Sequence, residues 1–291
     1  MNVPDLIRLN NLPLVGKLVS QELNLGLHQS HRNGTGVEFA QYRDYRPGDD
    51  PKRIDWRRFA QTNNYLVRES EAESHQHVRL LLDQSGSMNY AENGVRRLDY
   101  ARLVLASLAY VANRQGDTLS LSGLQQGVLV PLVPPGPQAF QKVLGTLAGL
   151  TASGPWPAGA VPTLPFGSQN KTELLILVSD LLQLSDEWLG FLRRAATPRR
   201  EVWLVQVLGA QEVNFSLSGF YRFQDLETAQ TVEVQAEAIR EQVRANANAY
   251  FRHVAAQLQL PHLRRVQALL TDPPALVLRA LLTNTAPLHS L

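Results

Sequence analysis

The sequence of 291 residues contains no cysteine, which excludes disulfide bonds and zinc sites with cysteine ligands. This composition is consistent with a reducing cytoplasm. No apolar run approaches the roughly 20 residues that a membrane-spanning helix needs. The first residues also lack the basic and then apolar pattern of a secretory signal. We therefore expect a cytoplasmic protein without a membrane span.

The chain also lacks a strong charge of either sign, because its 28 basic and 26 acidic residues give a net charge of only +2. Nucleic-acid-binding proteins usually carry a concentrated basic stripe. The densest basic cluster, residues 52–58, is interrupted by Asp55. We therefore expect no nucleic-acid partner.

Familiar catalytic motifs are missing as well: there is no P-loop, no H-E-x-x-H and no G-x-S-x-G. His75 and His77 are two residues apart, which would place them on one face of a strand, but no third metal ligand is evident near them. The sequence therefore predicts neither catalytic residues nor residues that bind an organic cofactor.

What the chain does contain is an alternation of short apolar runs with helical patterns. Five runs have the character of strands: residues 78–82, 118–121, 174–178, 202–207 and 265–270. Apolar residues at helical spacing lie between them, over residues 96–114, 138–150, 186–196 and 236–259. Mostly apolar strands that alternate with helices predict an α/β fold with a parallel sheet.

The two ends of this region have their own patterns. Residues 220–223 and 231–234 flank a turn-like stretch and predict a hairpin, and Pro273-Pro274 is typical of a helix start. Residues 1–75 are rich in Gly, Arg, Asp and Tyr and predict a loop-rich or β extension. We expect this segment to pack on a main α/β domain that spans residues 76–291.

The strongest local signal follows the first strand, which ends in Asp83-Gln84-Ser85-Gly86-Ser87. The strand end fixes the Asp83 carboxylate at one edge of the sheet. We expect Gly86 to allow a sharp turn that brings Ser85 and Ser87 beside it. Such hard oxygen ligands suit Mg²⁺, Mn²⁺ or Ca²⁺.

A second acid, Asp180, follows the strand of residues 174–178. If the two strands are neighbours, Asp180 reaches the same edge and could bind the cation directly or through water. Two buried carboxylates would repel each other without a cation. The alternative is that these serines and acids are ordinary turn residues after strands.

The loop resembles the metal-ion-dependent adhesion site of von Willebrand factor A domains. A longer resemblance lies upstream, where three segments are similar to the signature of the domain of unknown function 58 family of bacteria and archaea. These segments are Gly34-Thr35-Gly36-Val37-Glu38-Phe39, Tyr42-Arg43-Asp44-Tyr45-Arg46-Pro47-Gly48-Asp49-Asp50 and Arg53-Ile54-Asp55-Trp56. The resemblance extends from about residue 26 to residue 180 and more loosely to residue 287.

The resemblance implies a Rossmann-like sheet in which Asp83, Ser85, Ser87 and Asp180 bind a divalent cation. It also implies association with a MoxR-type AAA+ ATPase as the protein partner. In a binding module of this kind, an acidic residue of the partner would fill the open coordination position of the cation. The family usually has a threonine ligand between the two strands, whereas this chain has Thr151-Ala152-Ser153-Gly154. Ser153, Thr151 or a water would then replace the threonine.

Three functions remain open at this point. The first is a protein-binding module that uses the cation, and the second is a metal-dependent hydrolase, such as a phosphoesterase, for which no general base is evident. The third is a metal-free scaffold with a degenerate site.

The charged signature from Arg43 to Trp56 is also open to two interpretations. Its charges, together with Glu38, could form an acid/base set or an ion-pair network between segments, and we favour the network. Trp56, Tyr45 and Phe39 would be its packing anchors.

Overall fold

The computed structural model describes residues 2–31, 41–45, 54, 56–62, 64–69, 76–125, 128–156 and 172–283. The helices are α1 Val3–Arg8, α2 Leu12–His31, α3 Trp56–Thr62, α4 Arg97–Arg114, α5 Ala139–Gly149, α6 Asp186–Ala195, α7 Ala210–Asn214, α8 Ala236–Gln257 and α9 Pro274–Thr283. The strands are β1 Gln41–Asp44, β2 Leu66–Glu69, β3 His77–Asp83, β4 Ala91–Glu92, β5 Val95–Arg96, β6 Thr118–Gln125, β7 Val128–Val133, β8 Glu173–Ser179, β9 Arg200–Leu208, β10 Phe220–Gln224, β11 Thr231–Gln235 and β12 Leu263–Leu269.

Six of the described strands form the central sheet, in the order β12-β9-β8-β3-β6-β7. All neighbours are parallel except β6 and β7, which are antiparallel. The chain therefore adds strands on one side of β3 and then returns to add the others on the opposite side. This is the strand order of a doubly wound fold, whose topological switch point lies between β3 and β8. The predicted α/β fold is confirmed.

The inner strands are apolar on both faces because helices cover both sides of the sheet. Every residue of β8 is buried, as are Leu80, Leu81 and Leu82 of β3. One face packs against α4, α5, α9 and the N-terminal helices, and the other face packs against α6 and α8. The continuous apolar runs in the sequence reflect this double cover.

Helix α4 lies on the first of these faces and leads away from the candidate site. Its apolar positions, among them Leu98, Leu105 and Ala112, are buried against the sheet. The helix ends before Gly116, which has a φ of +78°. Glycine adopts this left-handed conformation without steric cost, so the predicted stop signal has a physical reason.

The N-terminal segment differs from the loop-rich or β extension that the composition predicts. Its described part contains a two-stranded antiparallel sheet of β1 and β2, but α1 and α2 are helical, and Leu6, Val15 and Val19 lie in the main core. Polar residues separate these apolar positions, so the average composition of the segment conceals its buried face. The division of the chain at residue 75 stays a prediction.

Most of the charged signature lies outside the described residues, including Glu38, Phe39, residues 46–53 and Asp55. Trp56 is described and is 56% exposed, with an edge contact to the ring of Phe59. Trp56 therefore packs on Phe59, in an aromatic cluster that includes Tyr65 and Tyr45, without being buried. Across the described ranges, no helix is long and apolar enough to cross a membrane.

Candidate functional site

The switch point brings the two predicted acids to the same edge of the sheet. Strands β3 and β8 are adjacent and parallel, with Leu82 opposite Val178. Asp83 is the last residue of β3, and Asp180 directly follows β8. Ligands of doubly wound folds bind in the crevice outside the carboxyl ends of the strands at such a switch point. Sequence and topology thus point to the same place.

Asp83 is completely buried and its two carboxylate oxygens are held by separate donors. Oδ1 accepts a hydrogen bond of 2.8 Å from the backbone N–H of Ser85, and Oδ2 accepts one of 2.6 Å from the hydroxyl of Ser179. Burial, and then the negative charge of Asp180, raise the pKa of Asp83 to about 7, although these hydrogen bonds act in the opposite direction. The carboxylate is fixed in place but its charge is poorly compensated.

The two serine hydroxyls lie together beside this carboxylate. Ser85 Oγ and Ser87 Oγ share a hydrogen bond of 3.0 Å. Ser85 is buried, whereas Ser87 is half-buried and opens the cluster toward solvent. Ser87 lies in a short 3-10 turn, Gly86–Asn89, which aligns the two hydroxyls. The structure therefore brings Asp83, Ser85 and Ser87 together as expected.

Gly86 is needed for a different reason from the one expected. It is not among the described glycines with positive φ, so the turn does not depend on glycine's conformational freedom. A methyl group on Gly86 would instead overlap the carbonyl oxygen of Leu226 and would lie 3.3 Å from that of Gly154. Close approach of two backbone segments is what excludes a side chain here.

The loop that replaces the family's threonine loop lies directly against the first loop. The N–H of Ser153 donates to the carbonyl of Gln84 at 2.8 Å, and the N–H of Gly86 donates to the carbonyl of Gly154 at 2.7 Å. Asn89 Nδ2 donates to the carbonyl of Ala152 at 2.8 Å. The side chain of Ser153 is exposed, so it lies near the cluster without being buried in it.

A buried arginine, which the sequence analysis missed, compensates the second acid. Arg97 Nη1 donates to Asp180 Oδ2 at 2.6 Å and to the carbonyl of Ser87 at 2.8 Å. Its Nη2 donates to the carboxylate of Glu212, and the ring of Tyr90 lies 4.9 Å from the guanidinium. Burial opposes the charge of Arg97, but the carboxylates of Asp180 and Glu212 outweigh it and raise the pKa of Arg97.

One sequence signal points to this arginine. Arg97 is the first residue of α4 and follows Arg96, so two positive charges lie at the positive end of a helix dipole. Basic residues are unfavourable at that position unless they have acidic partners elsewhere. The partner of Arg96 is the nearby Asp99, at 2.9 Å. The partners of Arg97 are 83 and 115 residues away along the chain, which sequence spacing cannot reveal.

The turn after β8 is conformationally strained next to Asp180. Leu181 has a φ of +53°, which is unusual for a residue with a bulky side chain and is typical of functional turns. Its N–H donates to Ser179 Oγ at 3.0 Å, and its carbonyl accepts a bond of 2.6 Å from the hydroxyl of Tyr250. Ser179 thus links both acidic loops.

His77, the described member of the histidine pair, has a structural role. Its Nε2 shares a hydrogen bond of 2.9 Å with Ser120 Oγ, and its Nδ1 lies 3.8 Å from Glu173. His75 lies outside the described residues.

Among the described residues, no group of three or more His, Asp and Glu side chains could hold a metal ion. Any cation at the switch point would therefore depend on serine hydroxyls.

Comparison with known proteins assigns the family. Residues 41–254 match the family described as "Protein of unknown function DUF58". The chain belongs to the DUF58 family. It is also 27% identical, over 253 residues, to uncharacterized proteins Rv1480 of Mycobacterium tuberculosis and Mb1516 of Mycobacterium bovis. The match covers 83% of this chain and 78% of each relative.

Solved structures with a similar fold include two with low identity to this DUF58 chain. BatB, a conserved hypothetical protein from Bacteroides thetaiotaomicron, is 12% identical, with a TM-score of 0.45 over 72% of this chain and 98% of its own. The SpRpn10 VWA domain is 9% identical, with a TM-score of 0.41 over 74% of this chain and 98% of its own. The fold itself rests on the strand order of the central sheet, which agrees with the Rossmann-like sheet implied by the family resemblance.

Proposed function

We propose that this DUF58 chain is a non-enzymatic protein-binding module that holds a divalent cation at Asp83, Ser85 and Ser87. The observation that carries the proposal is the cluster of one buried carboxylate and two hydroxyls at the switch point of the sheet. Mg²⁺ is the first choice, with Mn²⁺ and Ca²⁺ as alternatives, since all three prefer oxygen ligands.

The residues present fit such an ion. Asp83 has a carboxylate whose charge is poorly compensated, and its two oxygens keep lone-pair capacity beyond the hydrogen bonds from Ser85 and Ser179. The ion would supply positive charge there and keep a coordination position open toward solvent beside the half-buried Ser87. A carboxylate of a partner protein would fill that position.

Asp180 and Ser153 would have lesser roles in this arrangement. Asp180 already shares its charge with Arg97, so it would orient a water on the ion more readily than it would bind the ion directly. Ser153 is exposed beside the first loop and would substitute for the family's threonine. Because Ser153 is exposed and Asp180 is paired with Arg97, we expect the site to bind its ion weakly.

The family resemblance suggests a MoxR-type AAA+ ATPase as the partner, acting in the assembly or maturation of other proteins. The test is to measure the affinity of the chain for such an ATPase with Mg²⁺, with EDTA, and with the variant Asp83→Ala. We expect EDTA and Asp83→Ala each to weaken binding at least about tenfold. The exposed Asp186, which follows the same strand as Asp180, provides the matched control Asp186→Ala.

One observation favours a second candidate, a metal-free scaffold. Arg97 places a permanent positive charge between Asp180 and Glu212, and this charge could replace the cation in stabilising the acidic loops. Binding to the partner would then be the same with Mg²⁺ and with EDTA. A hydrolase stays an alternative without a supporting observation, because the second acid, Asp180, is paired with Arg97 and no described contact places a histidine beside Asp83.

A further inference from the structure

The β10–β11 hairpin reaches from the end of β9 back over the carboxyl edge of the sheet. Its tip contacts all three loops of the candidate site. The carbonyl oxygen of Leu226 lies so close to Gly86, between Ser85 and Ser87, that a methyl group at Gly86 would overlap it. No sequence pattern singles out this contact, because the tip and the loop are 140 residues apart in the chain, from 86 to 226.

The other two loops are joined by one carboxylate of the tip. Glu227 Oε2 accepts a hydrogen bond of 3.3 Å from the N–H of Trp156, in the loop that replaces the threonine loop. The same oxygen accepts a bond of 3.0 Å from Gln183 Nε2, in the loop that carries Asp180. The tip therefore lies where a partner would approach the half-buried Ser87.

The turn at the tip is held by its own hydrogen bonds, whereas few contacts of the described residues attach it to the site. Asp225 Oδ1 accepts bonds of 2.8 Å from the N–H groups of Glu227 and Thr228, which fixes the turn internally. Within the part of the chain that the structure describes, the tip is attached to the loops of the site by the two hydrogen bonds to Glu227 and the close approach to Gly86. The turn can thus move as a unit without losing its own hydrogen bonds.

The strands of the hairpin add little hydrophobic anchoring. Phe220 is 84% exposed and Val232 is 58% exposed, and only Phe223 and Val234 are half-buried within the two strands. The base of the hairpin is held by hydrogen bonds of 2.9 Å from the N–H of Ala236 to the carbonyl of Gly219 and of 2.8 Å from the N–H of Gly219 to Glu237 Oε1. Nearer the tip, the ring of Phe223 lies 6.0 Å from that of the buried Phe215. Segments with few buried apolar contacts open at low free energy.

We propose that the β10–β11 hairpin is a displaceable cap that closes over the loops of the candidate site and is moved aside by the protein partner. The cap would regulate partner binding at the site of the proposed function, so this inference rests on that function. In the closed state the Leu226 carbonyl and the Glu227 carboxylate cover the approach to Ser85 and Ser87.

Two variants open the cap by independent means, each with a matched control. Glu227→Ala removes both polar contacts of the tip, and its control is Glu233→Ala on the exposed stem, where Glu233 pairs with Arg222. Gly86→Ala pushes the tip away by steric contact, and its control is Gly136→Ala, where a methyl group meets nothing within 4 Å.

Amide hydrogen exchange of the full chain measures the closure. We expect Glu227→Ala and Gly86→Ala to exchange about tenfold faster than wild type at the Trp156 amide and in residues 84–89, because hydrogen bonds to a charged group are lost or broken. Both controls should match wild type. Exchange within roughly twofold of wild type in both cap variants would overturn the proposal.

Calorimetric titration of the same proteins with Mn²⁺ separates the cap from the proposed function. If amide exchange in the cap variants rises as expected while neither wild type nor Glu227→Ala binds Mn²⁺, the closure of the cap is supported and the metal-dependent function is contradicted. If wild type binds Mn²⁺ while amide exchange is unchanged in the cap variants, the cation site of the proposed function is supported and the cap is contradicted.

Discussion

At the scale of single residues, Asp83 carries a cost in stability that a cation would relieve. Its carboxyl is buried and its pKa is raised from 3.8 to about 7, first by burial and then by Asp180. The folded protein therefore binds more protons than the unfolded chain between these two pH values. The unfavourable contribution of Asp83 is absent below pH 3.8, grows as the pH rises, and is complete above pH 7.

The variant Asp83→Asn removes this charge while keeping the shape and most of the hydrogen-bonding groups. Without added metal, we expect it to raise the free energy of unfolding at pH 8 by about 1 to 3 kcal/mol. Urea denaturation at pH 8 and at pH 4 measures the effect, which should be much smaller at pH 4. The control Asp186→Asn changes an exposed carboxylate and should leave stability nearly unchanged. A less stable Asp83→Asn protein at pH 8 would contradict this interpretation.

The same pKa predicts how a cation would respond to pH. A metal ion competes with the proton on Asp83, so its affinity should rise with pH up to about 7 and then level off. Between pH 6 and pH 5 we expect about a tenfold loss of Mg²⁺ affinity. Calorimetric titrations at pH 5, 6 and 8 provide the measurement, and equal affinity at all three would show that Asp83 is not the ligand that titrates.

Arg97 should be far more important for stability than its neighbour Arg96. Arg97→Met would leave the buried Asp180 carboxylate without its ionic partner, and we expect a loss of about 3 to 5 kcal/mol. Arg96→Met affects a pair whose arginine side chain is 41% exposed, and the loss should stay below about 1 kcal/mol. Thermal and urea unfolding measure both. A small loss of stability for Arg97→Met, equal to that for Arg96→Met, would show that Arg97 does not stabilise the buried Asp180 carboxylate.

At the scale of secondary-structure elements, α2 contributes to the main core although its apolar pattern did not predict a buried helix. Leu23 is 2% exposed, whereas Leu14 on the same helix is 40% exposed. We therefore expect Leu23→Ala to lower the free energy of unfolding by about 2 to 4 kcal/mol. Leu14→Ala is the matched control and should change it by less than about 1 kcal/mol. Equal effects in urea denaturation would mean that α2 is not packed as described.

The elements that the sequence predicted correctly are those with continuous apolar runs. Strands β3, β8 and β9 are buried on both faces, so their composition alone marks them. The edge strand β7 escaped prediction because it is largely accessible and contains Pro131, which is tolerated only at an edge or bulge. Helix α2 escaped for a related reason, since polar residues and Gly16 interrupt its apolar face.

The residues of the candidate site also fall into a group that the sequence predicts and a group that it does not. Asp83, Ser85 and Ser87 are neighbours in sequence, and Asp180 was placed correctly because the ends of adjacent parallel strands meet at one edge. The partners that arrive from distant segments were not predictable. Arg97, Glu212 and the hairpin tip join the site only through tertiary packing.

At the scale of the whole molecule, the doubly wound sheet concentrates the unusual chemistry at one edge. The switch point collects a buried carboxylate with a raised pKa, a buried arginine, a strained leucine and the tip of an exposed hairpin. Structures tend to retain such unfavourable features where they serve binding. This concentration supports a single functional face, with the rest of the fold acting as its scaffold.

The most direct test of this account is a calorimetric titration of the purified chain with Mg²⁺ and Mn²⁺ at pH 8. We expect one ion per chain for wild type and for Asp186→Ala, and no binding for Asp83→Ala. The absence of binding heat for wild type with either ion, or equal binding by Asp83→Ala, would contradict a cation site at the switch point.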